Sequence, residues 1–341
     1  MAEMVESRRQ LCTESGHSCQ RVAYATKGSE RGLIMRLVIA LAAVAAASCA
    51  PLALRHLPTE PLVLKAPGHL DFLAVDGATV WATNQSRLEH WSTKGRLASV
   101  QLAEPCGAMV VHSKFVWVAD CKEKAVYKID VRTAETVAVV HTGLASPDGE
   151  TNVVAGGGSI WVPSDTSGRI ARINPSSHRV IASVSVDPGT HYLAFGMDSL
   201  WAVSSSKQSL QQINPKTNTV VRRISLGRGP GFLAAGEGAV WVQEQLDGTV
   251  ARIDPGTGKV TGRVKVGNSL KWGDIDTGGG RVWLRTTDDQ TYAIIDPRTL
   301  AITARVANAS GSGAIRYAGN GVWTSEHDLE TLTWWDFGRP H

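Results

Sequence analysis

A hydrophobic residue followed by tryptophan recurs seven times along this chain, at Trp81, Trp117, Trp161, Trp201, Trp241, Trp283 and Trp323. The intervals are 36, 44, 40, 40, 42 and 40 residues. A second mark keeps step with the first. Asp130, Asn174, Asn214, Asp254, Asp296 and Asp336 each lie 13 residues after their Trp, and four of them precede Pro. Only the first repeat departs: Trp91-Ser92 takes that place two residues early, which predicts a shorter hairpin. Self-similarity at such a period marks stacked supersecondary units, none of which can bury its apolar faces alone.

Each repeat divides into four short strands. In the fifth they are expected at 232–235, 239–243, 250–253 and 260–266, separated by Gly-rich turns and by the Asp254-Pro255-Gly256-Thr257-Gly258 reversal. Asx and Pro residues favour such reversals directly. Four strands in every 40 to 45 residues is the pattern of a propeller. The expected fold is therefore all-β, a seven-bladed β-propeller with each repeated Trp packed between neighbouring blades. The seventh repeat ends soon after Trp334-Trp335-Asp336 with no room for a fourth strand. Pro61–Ala66, just ahead of the first repeat, is apolar and extended in character, and is expected to complete the last blade and close the ring.

Composition fits this reading. Of 341 residues, 43% are hydrophobic, enough for a full core, and 11 Trp stand against 5 Phe and 5 Tyr. The net charge of +4 falls to +2 once the first 49 residues, with 6 basic and 4 acidic side chains, are set aside. A nucleic-acid partner is not expected of so neutral a body.

The amino-terminal segment reads as targeting. Leu37–Ala47 is an apolar run of 11 residues after Met35-Arg36. Such a helix rises about 16 Å, too short to span a bilayer but suited to a signal peptide. The division expected is 1–34 as a non-native upstream extension, 35–49 as the signal, 50–60 as a tether and 61–341 as the propeller. Ala46-Ala47-Ser48-Cys49 is similar to a bacterial lipobox, with Cys49 as the lipidated residue; cleavage after Ala47 is the alternative. Either way the protein is expected outside the cytoplasm, periplasmic, lipid-anchored or secreted, monomeric, and touching membrane only through the lipid. Export in turn predicts a disulfide. Cys106 precedes the inner strand of the second repeat and Cys121 follows its second strand, so both emerge at one end of an antiparallel pair.

The repeat, as in Gly236–Val266, resembles that of exported bacterial propellers grouped with virginiamycin B lyase and the YVTN-repeat proteins. The resemblance covers 61–341 and speaks to fold more than to chemistry. For the lyases it implies elimination by His and Glu beside a bound Mg²⁺ on the channel face, with Trp-Phe-Thr-Glu in the blades. Here no Phe follows a motif Trp, and the residue three beyond it is acidic only at Asp120, Glu244 and Glu326.

Candidate site residues follow from topology: loops leading into innermost strands and loops leaving second strands share the channel face. They bring His69, Asp71, Glu150, His191, Tyr192, Lys271, Trp272, Asp274 and Arg316 from the first kind of loop, and Glu244, Arg285, Glu326 and His327 from the second. Two readings remain open. One is a binding propeller that takes a small molecule, a glycan or a protein through His69, Asp71, Glu150, Tyr192, Glu244, Lys271, Trp272, Asp274 and Arg285. The other is a Mg²⁺-assisted lyase or hydrolase, with His327 or His191 as base, Glu326 as the adjacent acid/base partner of His327, Glu244 or Glu326 on the metal, and Arg316 steadying an oxyanion.

Overall fold

A computed structural model describes residues 60–146, 150–270, 273–286, 290–307 and 311–336. The expected segments 1–34 and 35–49, Cys49 and nearly all of the tether lie outside the described residues. The rest is seven four-stranded antiparallel sheets, and no α-helix occurs among the described residues. The expected all-β, seven-bladed propeller is the fold observed.

The first blade holds β2 (Leu70–Asp76), β3 (Thr79–Asn84), β4 (Arg87–Ser92) and β5 (Gly95–Gln101), paired in sequence order from the channel outward. Five further blades repeat the scheme. Their innermost strands are β6 (Pro105–His112), β10 (Val154–Gly156), β14 (Thr190–Gly196), β18 (Pro230–Gly236) and β22 (Ile275–Gly278). The last blade is composite: β1 (Leu62–Lys65) pairs with β28 (Thr331–Asp336), β28 with β27 (Gly321–Glu326), and β27 with β26 (Ile315–Tyr317). Leu62 stands opposite Trp334 and Lys65 opposite Thr331. The chain's two ends thus share one sheet, as the truncated seventh repeat requires.

The seam between blades explains the repeated Trp. Trp117 clusters with Val153 and Ile160 of the next blade, Trp161 with Leu193 and Leu200, and Trp201 with Leu233 and Val240. Trp323 meets Leu73 and Val80 of the first blade, which closes the circle. Six of the seven indoles are fully buried. A glycine five residues upstream serves two purposes. In four blades the indole N–H donates to its carbonyl, as from Trp161 to Gly156 at 3.0 Å and from Trp241 to Gly236 at 3.1 Å. A Cβ on Gly156 would sit 2.0 Å from the Phe195 ring of the next blade, so no larger residue fits. Where Asp76, His112 or Ala318 takes that place, the indoles of Trp81, Trp117 and Trp323 have no such partner.

The Asx turns close the outer hairpins. Asp130 Oδ1 accepts from the N–H groups of Arg132 and Thr133, and Asn174 Oδ1 from those of Ser176 and Ser177. They also brace the ring: Lys128 donates to Pro175 O at 2.9 Å and Arg172 to Pro215 O at 2.7 Å, each reaching the next blade. In the first repeat Ser92 Oγ accepts from Lys94 N, and the turn to β5 is indeed short. Cys106 and Cys121 are joined as a disulfide, with Cα atoms 5.9 Å apart. Cys106 lies inside β6 rather than before it, because this strand begins four residues earlier than the apolar run suggests.

Two tests follow. Removal of everything through Ala66 exposes the edge of β28, and is expected to lower Tm and to cause association in sedimentation analysis; an unchanged monomer would show that β1 is dispensable. Gly156→Val is expected to cost several kcal/mol in chemical denaturation, since it forces the seam apart at Phe195.

Candidate functional site

In four blades the last residue of the second strand pairs with the first part of the inner strand, as Asn84 does with Leu70 and Glu244 with Pro230. Both kinds of candidate loop therefore lie at one end of the ring, as expected. Side-chain direction then sorts them.

The positions three residues beyond the motif Trp act as latches. Asn84 Oδ1 accepts from His69 N at 2.7 Å, and Asp120 Oδ2 from Ala103 N and Glu104 N at 2.9 and 3.0 Å. Ser204 donates to Pro188 O, and Glu244 Oε1 accepts from Gly227 N at 2.7 Å. Each pins the segment entering its own blade. Glu244 is fully buried, and its remaining lone pairs take Thr249 Oγ1 at 2.6 Å and both arms of Arg263 at 2.8 and 2.9 Å. Burial alone would raise the Glu244 carboxyl, but the Arg263 guanidinium and the other donors hold it below the usual carboxylate range.

Glu326 is committed in the same way. It accepts from the Tyr292 hydroxyl, from Thr324 at 3.0 Å, and from Thr331 at 2.6 Å. Arg285, also fully buried, donates to Tyr292 Oη at 2.9 Å, Ser325 O at 2.8 Å and Gly311 O at 2.8 Å, between the sixth and seventh blades. The oxygens of Glu244 and Glu326 already face protein donors, so this pair does not fit a Mg²⁺ ion. Among the described residues no group of three or more His, Cys, Asp or Glu side chains is arranged to hold a metal.

The adjacent residues Glu326 and His327 part company: one turns into its blade, the other toward the channel. His327 Nε2 lies 3.1 Å from Asp71 Oδ1, a close approach whose angle falls short of a hydrogen bond. Its ring packs on His69, with centroids 3.7 Å apart. Burial, then the neighbouring His327, lowers the His69 pKa below its ordinary value. From the third and fourth blades come Glu150 and Tyr192, whose hydroxyl donates to Glu150 Oε2 at 3.3 Å. Burial pushes the Glu150 carboxyl up to about 7, and the charges of Asp71 and Asp274 add to the effect. Asp274 and Arg316 form a buried ion pair across the sixth and seventh blades, and Asp274 also accepts from Ile315 N at 3.0 Å. His191 sits beside Tyr192, edge to face, its Nδ1 buried without a partner, and burial lowers its pKa. Lys271 and Trp272 lie outside the described residues.

The structure thus brings together His69, Asp71, His327, Glu150, Tyr192, Asp274 and Arg316, and places Glu244, Glu326 and Arg285 in the blade interiors. Below them is a channel cavity of about 230 Å³. Four of its lining residues are polar: Asn152, Asp276, Thr277 and Arg316. Loop-based reasoning missed Asn152 and Asp276 because they lie on or beside the inner strands. A signal existed. Seven residues before the motif Trp the chain carries Ala74, Val110, Val154, Ala194 and Ala234, then Asp276 and Arg316.

No family model matches this sequence, and no curated protein sequence does. Solved structures do. A streptogramin B lyase superposes with a TM-score of 0.69 at 15% identity, covering 81% of this chain and 96% of that one. The two share a propeller fold. The virginiamycin B lyase of Staphylococcus aureus gives the same score and identity, with 81% and 99% covered. BamB from Moraxella catarrhalis follows at 0.60 and 15%, with 79% and 85% covered. At such identities the likeness is one of fold.

The raised Glu150 pKa carries a stability signature. A carboxyl whose folded pKa exceeds its unfolded value favours the folded state below the unfolded pKa and withdraws that support as pH rises. Stability is expected to fall between about pH 4.5 and 7 by up to about 1.4 kcal/mol per pH unit from this group. Denaturant titrations at pH 5 and 8 check it, and Glu150→Gln should flatten that dependence.

Proposed function

We propose that this chain is an exported propeller that binds a small polar molecule at the end of the channel where its inner strands begin. The observation that carries this reading is the convergence of Asp71, His327, Glu150, Tyr192, Asp274 and Arg316, from five different blades, above a channel cavity. These groups are withdrawn into the mouth rather than spread over the rim, which favours a small ligand over a glycan or a protein surface. The lyase or hydrolase reading draws less support, because the two carboxylates it needs for a metal are saturated by protein donors.

The Cys106–Cys121 bridge fits an oxidising compartment and so supports export. Lipidation at Cys49 is part of the same proposal. Intact mass spectrometry of protein from its native membrane is expected to show a mature, lipid-modified Cys49, and Cys49→Ala to release the propeller into the soluble fraction.

Binding is tested by thermal-shift screening of the mature chain against a library of polar metabolites. A ligand at 100 times its Kd adds about 2.7 kcal/mol, which for a domain of this size raises Tm by roughly 4–5 °C. Asp71→Asn and His327→Ala are expected to remove that shift while leaving the unliganded Tm within about 2 °C. The proposal fails if no compound shifts Tm, or if both variants respond as the parent does.

A further inference from the structure

The channel cavity has a chemical bias of its own. Apart from Asn152, its walls from the second to fifth blades are apolar, with Val110, Val154, Ala194 and Ala234 facing the channel. Its polar wall is acidic. Asp276 lies on β22, and its two oxygens accept only from backbone groups, Thr277 N at 2.8 Å and Tyr317 N at 2.8 Å. The cation nearest to it, Arg316, is already engaged by Asp274 through Nη1. Among the described residues Asp276 therefore has no ion-pair partner of its own.

Asn152 adds an independent observation. It is 94% buried and lines the same cavity. Its Nδ2 donates to Leu193 O at 3.2 Å, whereas its Oδ1 accepts from nothing. A buried acceptor without a donor costs on the order of 1–3 kcal/mol, so a donor brought by a ligand would be rewarded. The field along the channel has the same sign. The carboxyls of Asp71, Glu150 and Asp274 act on one another, Asp274 acts on Asp276, which burial also raises, and among the described residues Arg316 is the permanent cation that faces them.

We propose that this cavity binds a small ligand carrying a protonated amine on an apolar body. Its ammonium donates to the Asp276 carboxylate, and its body lies against Val110, Val154, Ala194 and Ala234. The volume suits one ring with a short arm, since an apolar cavity of about 150 Å³ accepts benzene. This inference rests on the binding reading above and names its ligand class.

Calorimetry at pH 8 with three probes of one shape, benzylammonium, benzyl alcohol and benzoate, tests it on the mature chain. Benzylammonium is expected to bind at least tenfold more tightly than the other two. Asp276→Asn, which keeps an acceptor for Tyr317 N, should reduce that affinity at least tenfold. Ala234→Leu fills the cavity without touching the charged groups, and should abolish binding while the protein stays folded. Equal or tighter binding of benzoate or benzyl alcohol overturns the amine assignment but leaves the binding reading standing. Benzylammonium binding that survives Ala234→Leu shows that the cavity is not the site. Should none of the probes bind, this inference falls, and the metabolite screen separately decides the broader reading.

Discussion

Everything in this ring depends on one contact, the insertion of each blade's Trp between its own sheet and the inner half of the next. A Trp side chain buries 150–250 Å² at about 25 cal/mol per Å², so a single seam is worth roughly 4–6 kcal/mol as an upper bound. No blade can collect that energy alone. Trp323 needs Leu73 and Val80 of the first blade, and the ring must therefore close. Closure explains why β1 crosses to the last sheet: it covers an edge at the position where chain ends would otherwise leave one.

Tight seams constrain the end of the ring as well. A segment that enters an inner strand must be held at its blade, and in four blades the residue three beyond the motif Trp does this with whatever hydrogen-bonding group it carries. Asn84, Asp120, Ser204 and Glu244 differ in chemistry and share the task. Glu244 and Glu326 consequently spend their oxygens on the fold, and acidic character at this column carries no information about catalysis. What remains for ligands is the set that turns inward, where burial and mutual repulsion raise Glu150 and where the Asp276 oxygens accept from backbone groups.

The absence of a sequence match beside clear structural likeness has the same physical origin. A propeller asks for apolar residues at a few columns, a turn former at another and one large aromatic at the seam. Such requirements are met by many sequences, and 15% identity to the two lyase structures is enough to share the fold. Residues around the channel are free of these demands, so chemistry can differ where architecture does not.

The repeat was legible because its marks are local: Trp, the Asx turn 13 residues on, and alternation within strands all act over less than one blade. The disulfide was legible for the same reason, since Cys106 and Cys121 share one hairpin. Even the composite last blade followed from counting strands. The site was legible only in part. Topology places His69, Asp71, Glu150, Tyr192, Asp274 and Arg316 at the channel end, and it places Glu244, Glu326 and Arg285 there too, which the blades absorb. Neighbours such as Glu326 and His327 look like a pair in one dimension, yet successive side chains of an extended chain point to opposite sides. Sequence by itself determined the blades, their order and their seams. Only the tertiary structure decided which polar groups meet, because Asp71, Glu150 and Asp274 come from three blades and become neighbours solely through ring closure.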